Sequence, residues 1–198
     1  MRGAWGGLEE LIGHRFADRS LLARALTHRS HANESREPSP GDNERLEFLG
    51  DAVLGLIVGH CLYAADDRAD EGELSRLRAD LVSAPNLARL ARGLALGDCL
   101  LLGRGEERSG GRDRENLLAD ALEALIGAVF LDAGYVAAEG VVTRLIAPLL
   151  TAPAPAAGHV AGITAAYDNT GQDYPAGLAG RGGGGSEQRA GAAGPCVT

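Results

Sequence analysis

The chain contains no lysine: all 19 of its cationic side chains are arginine, set against 27 acids for a net charge of −8. A balance this acidic excludes a generally basic protein that coats nucleic acid. It leaves open chemistry in which carboxylates hold a metal. Cysteine is scarce as well, with three residues (Cys61, Cys99 and Cys196) and no CxxC pair. An odd, scattered set excludes a disulfide framework and a structural zinc site, and it predicts a reducing, cytoplasmic setting. No unbroken apolar run approaches the roughly 18–20 residues that span a bilayer, so no membrane partner is expected. The opening residues are polar and glycine-rich, not a charged stretch followed by an apolar one, and no secretory signal is expected.

What is present divides near residue 150. The 198 residues suggest one domain with an appendage. Residues 151–198 hold 11 Gly, 12 Ala and 4 Pro but only five charged side chains. That stretch has no amphipathic period and too little large apolar side chain to offset the entropy of ordering, which predicts a disordered tail. Upstream, apolar residues recur at helical spacing. Ser20 is expected to cap a helix carrying Leu21, Leu22, Ala25 and Leu26. A second helix runs from about Asp42 or Asn43 to Ala65, after a loop in which Pro38 and Pro40 stop the preceding one. A third spans Glu71 to Ser83, and Pro85 opens a fourth through Leu94. Gly103 to Gly111 reads as a glycine-rich loop. A long helix covers Glu115 to Asp132 and is ended by Gly134; the last covers Val136 to Leu150. No segment alternates in a strand period, so the expected fold class is all-α.

The acids are distributed unevenly over these helices. In Asn43-Glu44-Arg45-Leu46-Glu47-Phe48-Leu49-Gly50-Asp51, Glu44, Glu47 and Asp51 share one helical face within an arc of about 60°. Glu47 and Asp51 form a like-charge i, i+4 pair, which costs a few tenths of a kcal/mol, and Gly50 costs about 1 kcal/mol relative to Ala. A helix built for stability alone would avoid both. A solvated acidic face is the bland reading of this segment taken alone. The second cluster changes the comparison. Asp120 and Glu123 share a face of the core-like run Leu117 to Leu131, and no cation lies between Glu115 and Asp132. A carboxylate in apolar surroundings is expensive unless paired or metal-bound. Either these acids stay wet at the helix rim, or the two helices converge on a divalent cation. Oxygen-only ligands favour Mg²⁺ or Mn²⁺ over zinc.

These residues carry a resemblance. Glu44-Arg45-Leu46-Glu47-Phe48-Leu49-Gly50-Asp51 resembles the signature helix of the ribonuclease III family. Ala25-Leu26-Thr27-His28-Arg29-Ser30, Asp70-Glu71-Gly72-Glu73-Leu74-Ser75-Arg76-Leu77-Arg78, Ser109-Gly110-Gly111 and Leu118 to Gly127 flank it in the family's order. The match covers about residues 8–150. It implies an all-helical endonuclease domain that acts as a homodimer on double-stranded RNA, processing rRNA precursors and mRNA. It implies Mg²⁺, with Mn²⁺ able to substitute, held by Glu47, Asp51, Asp120 and Glu123. Asp51 and Glu123 are implied as catalytic, with water attacking to leave 5′-phosphate and 3′-hydroxyl ends. Glu44 and Glu71 match acidic positions implied to be substrate or outer-shell contacts. Phe48 matches an aromatic that enters the partner subunit; its alternative is ordinary core packing.

Other features are weaker. His28 suits a structural role better than that of a general base, and His14, His31, His60 and His159 form no metal spacing. Gly103 to Gly111 lacks the Gly-Lys-Ser/Thr ending of a phosphate-binding loop, so no nucleotide cofactor is expected. Arg104, Arg108, Arg112 and Arg114 are candidates for RNA phosphates, against a solvated-loop alternative. The family normally continues into a basic double-stranded-RNA-binding domain. Residues 151–198, whose only cations are Arg181 and Arg189, are expected to stand in its place as a low-complexity tail, with reduced RNA affinity. An out-of-frame translation accounts for such a tail, because Gln172 to Ala176 can be encoded so that a one-base shift reads as the start of the missing domain; a natural nuclease-only form is the rival. The competing functional class is a non-catalytic homodimer that binds RNA or a ribosomal partner.

Overall fold

The computed structural model describes residues 2–34 and 41–151. The tail expected beyond Thr151, and the loop prolines Pro38 and Pro40, lie outside the described residues. Among the described residues nine α-helices follow in chain order: α1 (Arg2–Ile12), α2 (Arg19–Ala25), α3 (Arg29–Glu34), α4 (Glu44–Ala65), α5 (Glu71–Leu81), α6 (Ala84–Gly93), α7 (Leu96–Cys99), α8 (Arg104–Arg108) and α9 (Glu115–Thr151). A 3₁₀ turn at Gly111–Asp113 precedes α9, and no strand occurs among the described residues. A parallel bridge ties Thr27 to Leu101. The all-α reading holds.

The core is built around α4 and α9. Leu46, Val53, Leu54, Ile57, Val58, Cys61 and Leu62 of α4 are buried. On α9 the buried set runs almost continuously from Leu118 to Val129, interrupted by Asp120 and Glu123. A helix buried on most of its circumference is a central helix, and the others pack round it. By length and hydropathy alone, α4 and residues 115–147 would each suit a bilayer. Here both serve as core helices, each carries acids, and the second is broken where Gly134 adopts φ 79°. That break is the predicted end of the long helix.

Gly50 and Gly127 set how closely the two helices approach. A Cβ on Gly50 would fall 1.8 Å from the carbonyl oxygen of Glu123, and one on Gly127 would fall 2.3 Å from that of Leu46. Only bare backbone fits at this crossing, which explains why α4 accepts the helix cost of Gly50.

The smaller helices correct the expectation at several points. The cap of α2 is Asp18, whose carboxylate accepts from the Ser20 amide at 2.8 Å; Ser20 lies inside the helix. Asp70 caps α5 in the same way, accepting from the Glu73 amide at 2.8 Å. Pro85 is the second helical residue of α6, behind Ala84. The stretch read as a loop from Gly103 to Gly111 contains α8 and leads into the 3₁₀ turn. The helices α1, α3 and α7 were not anticipated. Those as short as α3, α7 and α8 offer too few residues for an apolar period to emerge.

Candidate metal centre

The α4–α9 crossing brings acids from both helices to one place. Ligand oxygens of Glu47, Asp120 and Glu123 lie within 4.8 Å of one another, and all three side chains are half-buried. None makes a hydrogen bond or ion pair with another described residue. Because Gly50 lies against the Glu123 backbone, Glu47, one turn before it on α4, and Asp51, the next residue, are carried toward the acids of α9.

The electrostatics follow from that packing. Burial, with Asp51, Asp120 and Glu47 as like-charged neighbours, pushes the Glu123 carboxyl up to about 7. Burial and the charges of Asp120, Glu44 and Asp51 raise Glu47 too, against an opposing pull from Arg29. Burial raises Asp120, partly offset by His28 and Arg29. Three oxygen donors with no cation bonded to them, each resisting ionisation, form a donor set that suits a hard divalent cation.

The remaining candidate residues are placed differently. Asp51 is exposed and lies outside the close group, although its charge acts on both Glu47 and Glu123. Glu44 is exposed and pairs with Arg29 at 3.2 Å. Glu71, in the first turn of α5, accepts from Ser75 Oγ at 2.8 Å and is not drawn into the acid group. Phe48 is 81% exposed, so core packing within the chain does not account for it. Arg104 and Arg108 are exposed and form no ion pair among the described residues. Arg112 and Arg114 differ. Arg112 grips the Glu107 carboxylate with Nε and Nη2 (2.6 and 2.7 Å), while its Nη1 donates to the carbonyls of Gly97 and Leu100. Arg114 lies 2.6 Å from Glu106. These two hold the segment in shape and are committed within the chain.

His28 is anchored: its Nδ1 lies 2.8 Å from Ser30 Oγ and accepts from the Ser30 amide at 3.3 Å. The residue that sequence reasoning missed is Arg29. Its segment, Ala25 to Ser30, stands among the matching motifs, but nothing there assigns Arg29 a role, since it reaches the acid face from α3, across a gap in sequence that no helical period spans.

The sequence model described as Ribonuclease-III-like matches residues 18–150. Ribonuclease 3 of Nitratidesulfovibrio vulgaris is 57% identical over 141 residues, covering 71% of this chain and 55% of that protein. The crystal structure of the nuclease domain of ribonuclease III from Campylobacter jejuni superimposes with a TM-score of 0.66 at 44% identity, covering 73% of this chain and 94% of that one. A second structure of the same domain, described by its structural flexibility in a region involved in dimer formation, matches with the same TM-score and identity. The chain spans 55–61% of the length of the curated relatives it matches. With that similarity across the whole α4–α9 framework, the chain belongs to the ribonuclease-III-like family.

Proposed function

We propose that the chain is an endoribonuclease that hydrolyses double-stranded RNA with a divalent cation, Mg²⁺, for which Mn²⁺ substitutes. The observation that carries this reading is the group of Glu47, Asp120 and Glu123 within 4.8 Å, unpaired by any basic side chain, in a family of ribonucleases. Glu47, Asp120 and Glu123 would hold the cation, with Asp51 at the open side. A divalent cation there supplies charge neutralisation at the phosphodiester and a lower pKa for water. The chain's own residues arrange the rest. α4 and α9 fix the acids through the bare Gly50–Gly127 crossing. Glu123, pushed up to about 7 in the cation-free chain by burial and its acidic neighbours, would be ionised on holding a divalent cation, and with Asp51 it is a proposed catalytic residue. The products are 5′-phosphate and 3′-hydroxyl ends, from rRNA precursors and mRNA in the cytoplasm.

The active form is proposed to be a homodimer. Phe48, Leu56 and Tyr63 are 81%, 61% and 75% exposed and stand within about 80° of arc on α4, an apolar strip suited to a second copy. Residues 8–150 are the proposed nuclease domain, and Glu71, Arg104 and Arg108 are candidate RNA contacts. Residues 151–198 are proposed as a tail that adds little RNA affinity, so cutting weakens at physiological salt.

Cleavage of long duplex RNA by the purified chain at low salt, with Mg²⁺ and with EDTA, tests the reading. Mg²⁺-dependent cutting that is lost in Glu123→Gln and Asp51→Asn is expected. Intact RNA with Mg²⁺ or Mn²⁺ overturns it, and RNA binding undiminished by EDTA without product assigns the chain to the non-catalytic class.

A further inference from the structure

We infer that Arg29 is a positioning residue for the substrate: its guanidinium, parked on Glu44 at the rim of the acid group, transfers to a phosphate of the bound RNA strand. The inference rests on the nuclease reading above and adds a residue to it.

The backbone beneath Arg29 is fixed. The His28 amide donates to the Leu101 carbonyl at 3.1 Å, and the Leu101 amide donates to that of Leu26 at 2.8 Å. The Asn43 amide donates to the Thr27 carbonyl at 2.9 Å, tying the start of α3 to the start of α4. The His28 ring is held by Ser30, and Ser30 Oγ in turn accepts from the Gly103 amide at 2.9 Å. Arg29 therefore stands on an anchored turn.

Its head group is not anchored. The side chain is 67% exposed, and its one ion pair among the described residues runs from a single nitrogen to Glu44 Oε1 at 3.2 Å. An exposed single-point pair of this kind contributes little and exchanges readily. A guanidinium meets a phosphate through two parallel N–H donors, with stronger charge-assisted bonds than Glu44 receives here. The position is also the right one. Among the described residues Arg29 is the cation whose charge reaches both Glu47 and Asp120, which locates it beside the group that would bind the scissile phosphodiester. Arg112 and Arg114 are unavailable for this task, being bound to Glu107 and Glu106. An anchored base with an exposed cationic head beside a carboxylate group is an arrangement for receiving a polyanion. As a bare counter-ion for the acids, Arg29 would be expected to bond to Glu47 or Asp120, and it bonds to neither.

The test compares the unsubstituted chain, Arg29→Ala and Arg29→Lys. Cleavage kinetics on a duplex RNA with Mg²⁺ should show KM raised about tenfold in Arg29→Ala with kcat within about threefold, the pattern for a contact made equally in ground and transition states. Arg29→Lys should recover part of the loss, because it keeps the charge but not the paired donors. In a Glu123→Gln background, where RNA is expected to stay intact, fluorescence anisotropy with a labelled duplex across a salt series gives a second readout. The slope of log affinity against log salt should fall by about one for Arg29→Ala. Unchanged KM and salt slope, with only the Mg²⁺ dependence altered, would make Arg29 a counter-ion and overturn the inference while leaving the nuclease reading intact. An unsubstituted chain that neither binds nor cuts duplex RNA overturns both.

Discussion

Glu123 and Asp132 stand nine residues apart on α9, both partly buried, and their carboxyls have been driven in opposite directions. Burial pushes Asp132 up, but it accepts hydrogen bonds from the amides of Asp18 (2.8 Å) and Ala17 (3.1 Å) and faces His14 Nε2 at 2.9 Å. These donors win, and Asp132 falls below the ordinary carboxylate range. Glu123 has no donor and three like-charged neighbours, and it rises to about 7. The other covered acids side with Asp132. Glu9 takes the Phe16 amide at 2.9 Å and pairs with Arg19. Glu139 lies 3.2 Å from both His60 Nδ1 and the Tyr135 hydroxyl. Among the described residues, Glu9, Asp132 and Glu139 are thus given partners, whereas Glu47, Asp120 and Glu123 are brought together without one, a contrast that supports the proposed site.

The largest way to break this contrast is to separate the helices that create it. Gly50→Ala puts a methyl 1.8 Å from the Glu123 carbonyl, a clash with backbone that no rotamer relieves. It should destabilise the chain by about 3 kcal/mol or more and lower the midpoint of urea unfolding accordingly. A midpoint equal to that of the unsubstituted chain would mean that the crossing is looser than described. Asp132→Asn tests the opposite pole. It leaves donors from Ala17, Asp18 and His14 facing an amide with half the acceptor capacity, at a cost of about 2 kcal/mol. The folded pKa of Asp132 lies below its unfolded value of 3.8, so its contribution is full above that value and lost as pH falls through the folded one. The gap between Asp132→Asn and the unsubstituted chain should accordingly close in strong acid; a gap independent of pH would assign the loss to packing.

How much of this was readable in advance depends on distance along the chain. The helices α4, α5, α6 and α9 announce themselves because each repeats its apolar period over several turns. The acids were readable for the same reason: Glu47 and Asp51, like Asp120 and Glu123, share faces at local spacing. Gly50 was visible as an anomaly, a helix-weakening residue without a local purpose, and its purpose proved to be the contact with α9. What could not be read was non-local. Nothing near Asp132 predicts that residues 14–18 fold back to donate to it, and nothing near Arg29 predicts its place beside Asp120. Exposed arginines look alike in sequence. Only packing separates Arg112 and Arg114, spent on Glu107 and Glu106, from Arg104 and Arg108.

The smallest effect on stability has the opposite sign and tests the contrast most sharply. The pKa of Glu123 rises from 4.5 to about 7 on folding, so the native state binds the proton more tightly than the unfolded chain does. Its contribution is therefore neutral below pH 4.5, becomes progressively destabilising as pH rises toward 7, and is constant above that. Glu123→Gln keeps the shape and removes the charge. Without divalent cation at pH 8 it should stabilise the chain by about 1–2 kcal/mol, allowing for solvent screening, and the gain should vanish near pH 4. Mg²⁺ should raise the melting temperature of the unsubstituted chain at pH 8 and do less for Glu123→Gln, because a ligand that binds only the native state stabilises it by mass action. The same substitution is expected to abolish cleavage. A residue whose removal strengthens the fold while ending the reaction is maintained against stability, and only a function at that position accounts for it. If Glu123→Gln instead weakens the cation-free chain at pH 8, then Glu123 is held by partners as Asp132 is, and the acid group is part of the scaffold.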